Sequence, residues 1–138
     1  MQDYFKHFFP NGIERPILVA EDDEPVRVVL THLLRLFGFR NVLTASNGHE
    51  ALDIYLKRKD EILLVLTDIQ MHTPDGKSAY GDELLLRLHE LGQNARVVMM
   101  SGNHNFDTTP FKEKGLKGFL KKPIDVMDLV RALSSALM

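Results

Sequence analysis

The chain has no cysteine, so neither a disulfide framework nor a thiolate metal site is open to it. No apolar run approaches the ~20 residues of a membrane span. The N-terminus lacks the basic start and apolar core of a secretory signal. An excess of positive charge is also missing: the formal net charge is -2, with no basic stripe of the kind nucleic acid requires. No segment repeats and no tract is of low complexity. Together these absences point to a chain in a reducing compartment, the cytoplasm by default, that engages neither nucleic acid nor membrane.

What is present suits one domain. The 138 residues, 44% of them hydrophobic, can bury a single core without staples. The charge is uneven in one place, where Glu21, Asp22, Asp23 and Glu24 follow one another.

Strand and helix signals alternate along the chain, the pattern of an α/β fold with a parallel sheet. Ile17-Leu18-Val19-Ala20 reads as a buried strand. Pro25 then suits a first helical turn, Val26, Val29, Leu30, Leu33, Leu34 and Phe37 recur at helical spacing, and Gly38 stops the helix. Val42 to Ala45 makes a second strand, and Asn47 with Glu50 forms an N-cap pair for a helix through Ala51, Leu52, Tyr55 and Leu56. Leu63-Leu64-Val65-Leu66-Thr67 is the most apolar strand, as expected where helices cover both faces. A polar stretch over residues 72–82 reads as a loop, and residues 83–91 as an amphipathic helix ended by Gly92. Arg96-Val97-Val98-Met99-Met100 is the fourth strand and Gly118-Phe119-Leu120-Lys121 the fifth. Between them, residues 103–114 show weak periodicity, and Pro110 limits any helix to a start after Thr109. Asp125 caps a last helix carrying Val126, Leu129, Val130, Leu133 and Leu137. These are five β/α pairs with no boundary between them.

In doubly wound sheets, ligands bind beyond the carboxyl ends of the strands. Glu21, Asp22 and Asp23 follow the first strand and Asp68 the third; Ser101 follows the fourth, and Lys122 with Pro123 the fifth. Such a pocket holds several carboxylates, one hydroxyl and one ammonium. Adjacent carboxylates repel unless a cation joins them. Magnesium suits an all-oxygen donor set of this size and keeps several waters. A carboxylate beside a metal can also accept a phosphoryl group. That transfer needs mainly in-line positioning and charge neutralisation.

The strings ILVAEDDEPVR, LVLTDIQM, VVMMSG and GFLKKP, in this order and at nearly this spacing, resemble the receiver domain of two-component response regulators, the family of the chemotaxis regulator. The resemblance runs from about Arg15 to Leu137. It implies a flavodoxin-like receiver fold, a five-stranded parallel sheet in the order 2-1-3-4-5, with residues 15–138 as the receiver domain and 1–14 as an N-terminal extension. It further implies that Asp68 is the phosphoacceptor. Asp22, Asp68 and the backbone carbonyl of Gln70 would bind magnesium directly, with Glu21 acting through a bound water. Ser101 would hydrogen-bond the phosphoryl group and Lys122 would neutralise it. Phe119 holds the place of the aromatic switch residue, Gln70 and Asn103 flank the path of the hydrolytic water, and the Lys122–Pro123 bond is expected to be cis. The implied partners are a sensor histidine kinase or histidine phosphotransfer protein and a downstream protein target.

Taken singly, each residue has a plainer explanation. Acids at a helix N-terminus are favoured by the dipole, which accounts for Asp23 and Glu24. Ser101 alone would serve as a helix cap, Lys122 as a surface lysine and Phe119 as core. The six histidines have no metal spacing and receive no role.

Three features depart from the family. His72 stands where proline is usual. The 72–82 loop is about five residues longer than usual; a tolerated insertion is the favoured explanation, and the alternative is that its Lys77, Ser78 and Tyr80 reach the site or a partner. The 103–114 region, part of the family's signalling face, is polar and holds Pro110. In addition Tyr4, Phe5, Phe8 and Phe9 fall on one helical face, for packing on the domain itself or on a second subunit as a homodimer.

The sequence ends just after the last helix, so a stand-alone receiver is the first expectation. A receiver cut from a longer regulator such as a hybrid kinase is the second. A magnesium-dependent phosphohydrolase on a similar fold is a third, with Asp22 and Glu24 as its candidate acid pair. Stoichiometric self-modification, as opposed to multiple turnover on an external phosphate ester, separates the last from the others.

Overall fold

The computed structural model describes residues 12–72, 78–103 and 105–137. The aromatic stretch with Tyr4, Phe5, Phe8 and Phe9 lies outside the described residues, as does Lys77.

The elements run β1 (Ile17–Ala20), α1 (Glu24–Leu36), β2 (Val42–Ala45), α2 (Gly48–Lys57), β3 (Leu64–Asp68), β4 (Gln70–His72), β5 (Ser78–Tyr80), α3 (Gly81–Glu90), β6 (Val97–Ser101), a 3-10 helix (Thr109–Lys114), β7 (Leu116–Lys121) and α4 (Val126–Leu137). Five strands form one sheet in the order β2-β1-β3-β6-β7, and every pairing in it is parallel. With the β4–β5 hairpin set aside, this is the expected order 2-1-3-4-5.

Side chains alternate along a strand, so each strand of the sheet feeds two cores. On one face Ile17, Val19, Leu64, Leu66, Val98 and Met100 pack with Leu30 and Leu34 of α1 and Leu129 and Leu133 of α4. On the other Leu18, Ala20, Val65, Val97 and Met99 pack with Ala51 and Tyr55 of α2, Leu85 and Leu88 of α3, and Phe111 of the 3-10 helix. All residues of β1, β3 and β6 are buried, which is why these strands read as unbroken apolar runs.

Local signals fix the helix ends. Asp23 caps α1 by accepting from the Val26 N–H, and Pro25 sits in the first turn. Gly38 follows α1 with φ 108°, a backbone state that glycine takes without strain. Its carbonyl accepts from Ile13 N at 2.7 Å, so the chain joins the sheet's margin through a parallel bridge between Ile13 and Phe39. Asn47 Oδ1 accepts from Glu50 N at 2.9 Å and opens α2. Asp125 Oδ1 accepts from Met127 N at 2.8 Å ahead of α4.

Five segments differ from the sequence expectation, one of them β7, which begins at Leu116, two residues before the expected start. Strands β3 and β6 each lie one residue later than the apolar runs suggest, and so take in Asp68 and Ser101. Part of the stretch read as a loop is an antiparallel hairpin, with Gln70 opposite Tyr80 and His72 opposite Ser78. Strands of three residues are too short to carry a readable alternation. The fourth connecting helix is a single 3-10 segment with Pro110 in its first turn.

Candidate phosphoacceptor and metal site

The carboxyl ends of β1, β3, β6 and β7 meet at one edge of the sheet, because the parallel order brings four strand termini to the same side. Glu21 extends β1 by one pairing, its N–H donating to Ala45 O at 3.0 Å. That bond draws the side chain inward, and Glu21 is 0% exposed. Asp68 ends β3 at 6% exposure. Its Oδ1 accepts from Gln70 N at 3.2 Å.

Lys122 reaches both acids. Its N–H donates to Ser101 O at 2.9 Å, which fixes the backbone beyond β7. The Lys122–Pro123 bond that follows is cis, as expected. Its Nζ donates to Glu21 Oε2 at 2.7 Å and to Asp68 Oδ2 at 2.9 Å. The Lys122 side chain keeps 22% exposure, so one end of the cluster faces solvent.

Asp22, half-buried, completes the acidic group. One carboxylate oxygen from each of Glu21, Asp22 and Asp68 lies within 4.8 Å of the others. Lys122 bonds two of the three, Glu21 and Asp68. Burial pushes the Glu21 carboxyl up to about 7; the charge of Asp68 adds to this, and the hydrogen bond from Lys122 opposes it. At Lys122 burial works downward, yet its bonds to Glu21 and Asp68 outweigh it and the ammonium is held above its ordinary value. An all-oxygen donor set of three close carboxylates fits a hard divalent cation such as magnesium.

Ser101 is buried at the end of β6, and its Oγ accepts from Asn103 N at 2.9 Å. Asn103 itself is exposed. Phe119 lies on β7 opposite Met99 and is partly buried. Its ring stacks on Phe106 with centroids 6.1 Å apart.

Two residues of this region escaped the sequence reading. Arg27, one turn into α1, donates from Nη1 to Glu21 O at 2.8 Å and fastens the backbone of the buried acid. Its signal was the spacing of six residues from Glu21 within the first quoted string. Phe106 gave no signal at all, being one aromatic residue in a polar stretch. Glu24, by contrast, is exposed at the start of α1 and outside the acid cluster, so the acid pair of a phosphohydrolase is not assembled.

The family model of the response regulator receiver domain matches residues 17–134. Sporulation initiation phosphotransferase F of Bacillus subtilis is 30% identical over 122 residues, covering 88% of this chain and 92% of that protein. The transcriptional regulatory protein PdtaR of Mycobacterium tuberculosis is 28% identical over 126 residues; the match takes in 91% of this chain but spans only 58% of that relative's length. Among solved structures, a CheX–CheY complex with BeF3 and magnesium from Borrelia burgdorferi contains a chain that superposes with a TM-score of 0.78 at 28% identity, over 94% of each chain. No helix among the described residues is long and apolar enough to cross a membrane.

Proposed function

The chain belongs to the response regulator receiver family, and from that premise we propose that Asp68 accepts a phosphoryl group from a phosphohistidine of a partner kinase or phosphotransfer protein. One observation carries the assignment. Asp68 ends the central strand, with Lys122 Nζ at 2.9 Å and the carboxylates of Glu21 and Asp22 beside it. The receiver unit is taken as residues 15–138, with 1–14 as an extension, and the exchange is placed in the cytoplasm.

Asp22, Asp68 and the carbonyl of Gln70 would hold magnesium, with Glu21 reaching it through water; when bound, the ion neutralises phosphoryl oxygens during transfer. The chain's own groups do the rest. An Asp68 carboxylate oxygen forms the new bond to phosphorus as the phosphorus–nitrogen bond of the donor breaks, and the departing imidazole takes up a proton. Lys122 exchanges its present carboxylate partners for phosphoryl oxygen. The Ser101 hydroxyl turns to donate to the same group, and Phe119 moves inward behind it, a two-state change that a downstream protein reads. Gln70 and Asn103, both amides, orient the water that later hydrolyses the acyl phosphate. Self-dephosphorylation is then the one turnover the chain performs.

A cavity of about 290 Å³ supports the partner assignment. It is lined by Pro25, Val26, Val29, Leu33, Pro123 and Ile124, and it reaches Lys122. Val29 in its wall is 57% exposed. An apolar groove that shares Lys122 with the acceptor site fits a helix presenting its histidine to Asp68.

Intact-mass spectrometry tests the reading. Acetyl phosphate with magnesium should add one phosphoryl group. Chelating the metal, or Asp68→Asn, should abolish the addition. Undiminished labelling of the Asp68→Asn chain overturns the assignment.

A further inference from the structure

Phe106 sits in the irregular connection between β6 and the 3-10 helix, where no periodicity calls for an aromatic residue. Its ring is the shared member of two stacked pairs. The centroid lies 5.8 Å from Phe111 with planes 15° apart, and 6.1 Å from Phe119 with planes 4° apart. Phe111 is buried in the core under the sheet and gives the stack a fixed end. Phe119 is partly buried and forms the other end.

The backbone around Phe106 has a second anchor. Phe106 N–H donates to Asn103 O at 3.3 Å and closes a turn. Asn103 N–H donates to Ser101 Oγ at 2.9 Å. The turn thus hangs from the hydroxyl at the end of β6, while its ring clasps the aromatic residue of β7. No other residue among those described is linked to both Ser101, through this turn, and Phe119, through a stacked ring.

We propose that Phe106 is a positioning residue for the switch, a latch that holds Ser101 and Phe119 in their unphosphorylated arrangement. The proposal rests on the reading of Asp68 as phosphoacceptor. When the Ser101 side chain turns toward a phosphoryl group on Asp68, Asn103 N–H loses its acceptor and the turn is freed. When Phe119 turns inward, it leaves the face of Phe106. Each motion breaks one of the two ties, so completing either lowers the cost of the other. The two residues move together because both are held through one turn. An aromatic pair of this kind biases an equilibrium by about two- to tenfold beyond the area it buries. Loss of the ring therefore favours the phosphorylated arrangement by that factor.

The test uses the full chain with 4-fluorophenylalanine at position 119, titrated with beryllofluoride at fixed magnesium. Fluorine NMR reports the position of ring 119, and thermal unfolding reports folding. In Phe106→Ala and Phe106→Leu, the resonance of the free protein should move toward its beryllofluoride-bound position. Half-saturation should fall about two- to tenfold. Phe106→Tyr, which keeps a ring, should follow the wild type. If Phe106→Ala does not fold, the Leu and Tyr variants still decide. Unchanged or weaker beryllofluoride binding in Phe106→Leu overturns the latch, because apolar bulk without a ring then suffices. A wild-type chain that shows no response to beryllofluoride overturns the phosphoacceptor reading, and the latch falls with it.

Discussion

The two supports around Asp68 are built differently. One support is ionic: Glu21 after β1 and Lys122 after β7, joined to each other and to Asp68 by bonds of 2.7 and 2.9 Å, with Arg27 of α1 fastening the Glu21 backbone. The other support follows Ser101, where the chain runs irregularly to a 3-10 helix, held by the Asn103-to-Ser101 bond, by short-range turn bonds and by a stack of three rings. Charge locks the first and apolar contact the second. A site that must bind a metal and a phosphoryl group in fixed geometry gains from the first kind of support. A readout that must have two arrangements gains from the second, where few backbone bonds resist change.

The largest expected effect lies in the charged support. Lys122→Ala leaves two buried carboxylates facing each other and should destabilise the metal-free chain by about 3 kcal/mol at neutral pH, the low end for a broken buried pair because Glu21 can take up a proton. Chemical denaturation measures it. Phe119→Ala should cost clearly less, and an equal loss would break the comparison.

Next comes the pH dependence of the same support. The Glu21 carboxyl sits near 7 in the folded chain against an ordinary 4.5, so folding favours its protonated form. The stability this proton brings is complete below about 4.5 and is lost as the pH rises to about 7. Metal-free melting temperatures should therefore fall across that window, and Glu21→Gln should flatten the fall. A slope unchanged by Glu21→Gln assigns the titration to another group.

Metal titration sharpens the contrast within the acidic run. Asp22→Ala should weaken magnesium binding at least tenfold more than Glu24→Ala, since Asp22 belongs to the close carboxylate group and Glu24 is exposed on α1. Equal effects misplace the metal. The smallest effect belongs to Asn103, exposed in the apolar-locked support. Asn103→Arg should lengthen the phosphoryl lifetime by roughly threefold through crowding of the water and pairing with phosphoryl oxygens. Decay of the phosphoprotein followed by mass checks it, and an unchanged rate removes Asn103 from the hydrolytic path.

The same division governs what the sequence reveals. Ile17 to Ala20 was legible to the residue because a strand buried on both faces needs an unbroken apolar run, and the edge strand Val42 to Ala45 was legible as a short run between turn residues. The caps at Asn47 and Asp125 were legible because a cap is a local bond. The site could be located because a parallel sheet sends all its strand ends to one side, whatever the distances turn out to be. What could not be read depends on contacts far apart in the chain. Ile13 joins Phe39 by a single bridge. The hairpin of Gln70–His72 and Ser78–Tyr80 relies on cross-strand pairing rather than on pattern. Lys122 bonds Glu21 directly across 101 positions of sequence, a contact that no spacing rule supplies. Phe106 shows its use only when Phe111 and Phe119 are seen on either side of it.

Residue-resolved amide hydrogen exchange, with and without beryllofluoride and magnesium, tests the division most directly. The account predicts that the largest change in exchange falls across residues 103–111 and at Phe119, with the amides of β1 and of α1 around Arg27 nearly unchanged. A largest change in β1 or α1, with residues 103–111 unmoved, would contradict it.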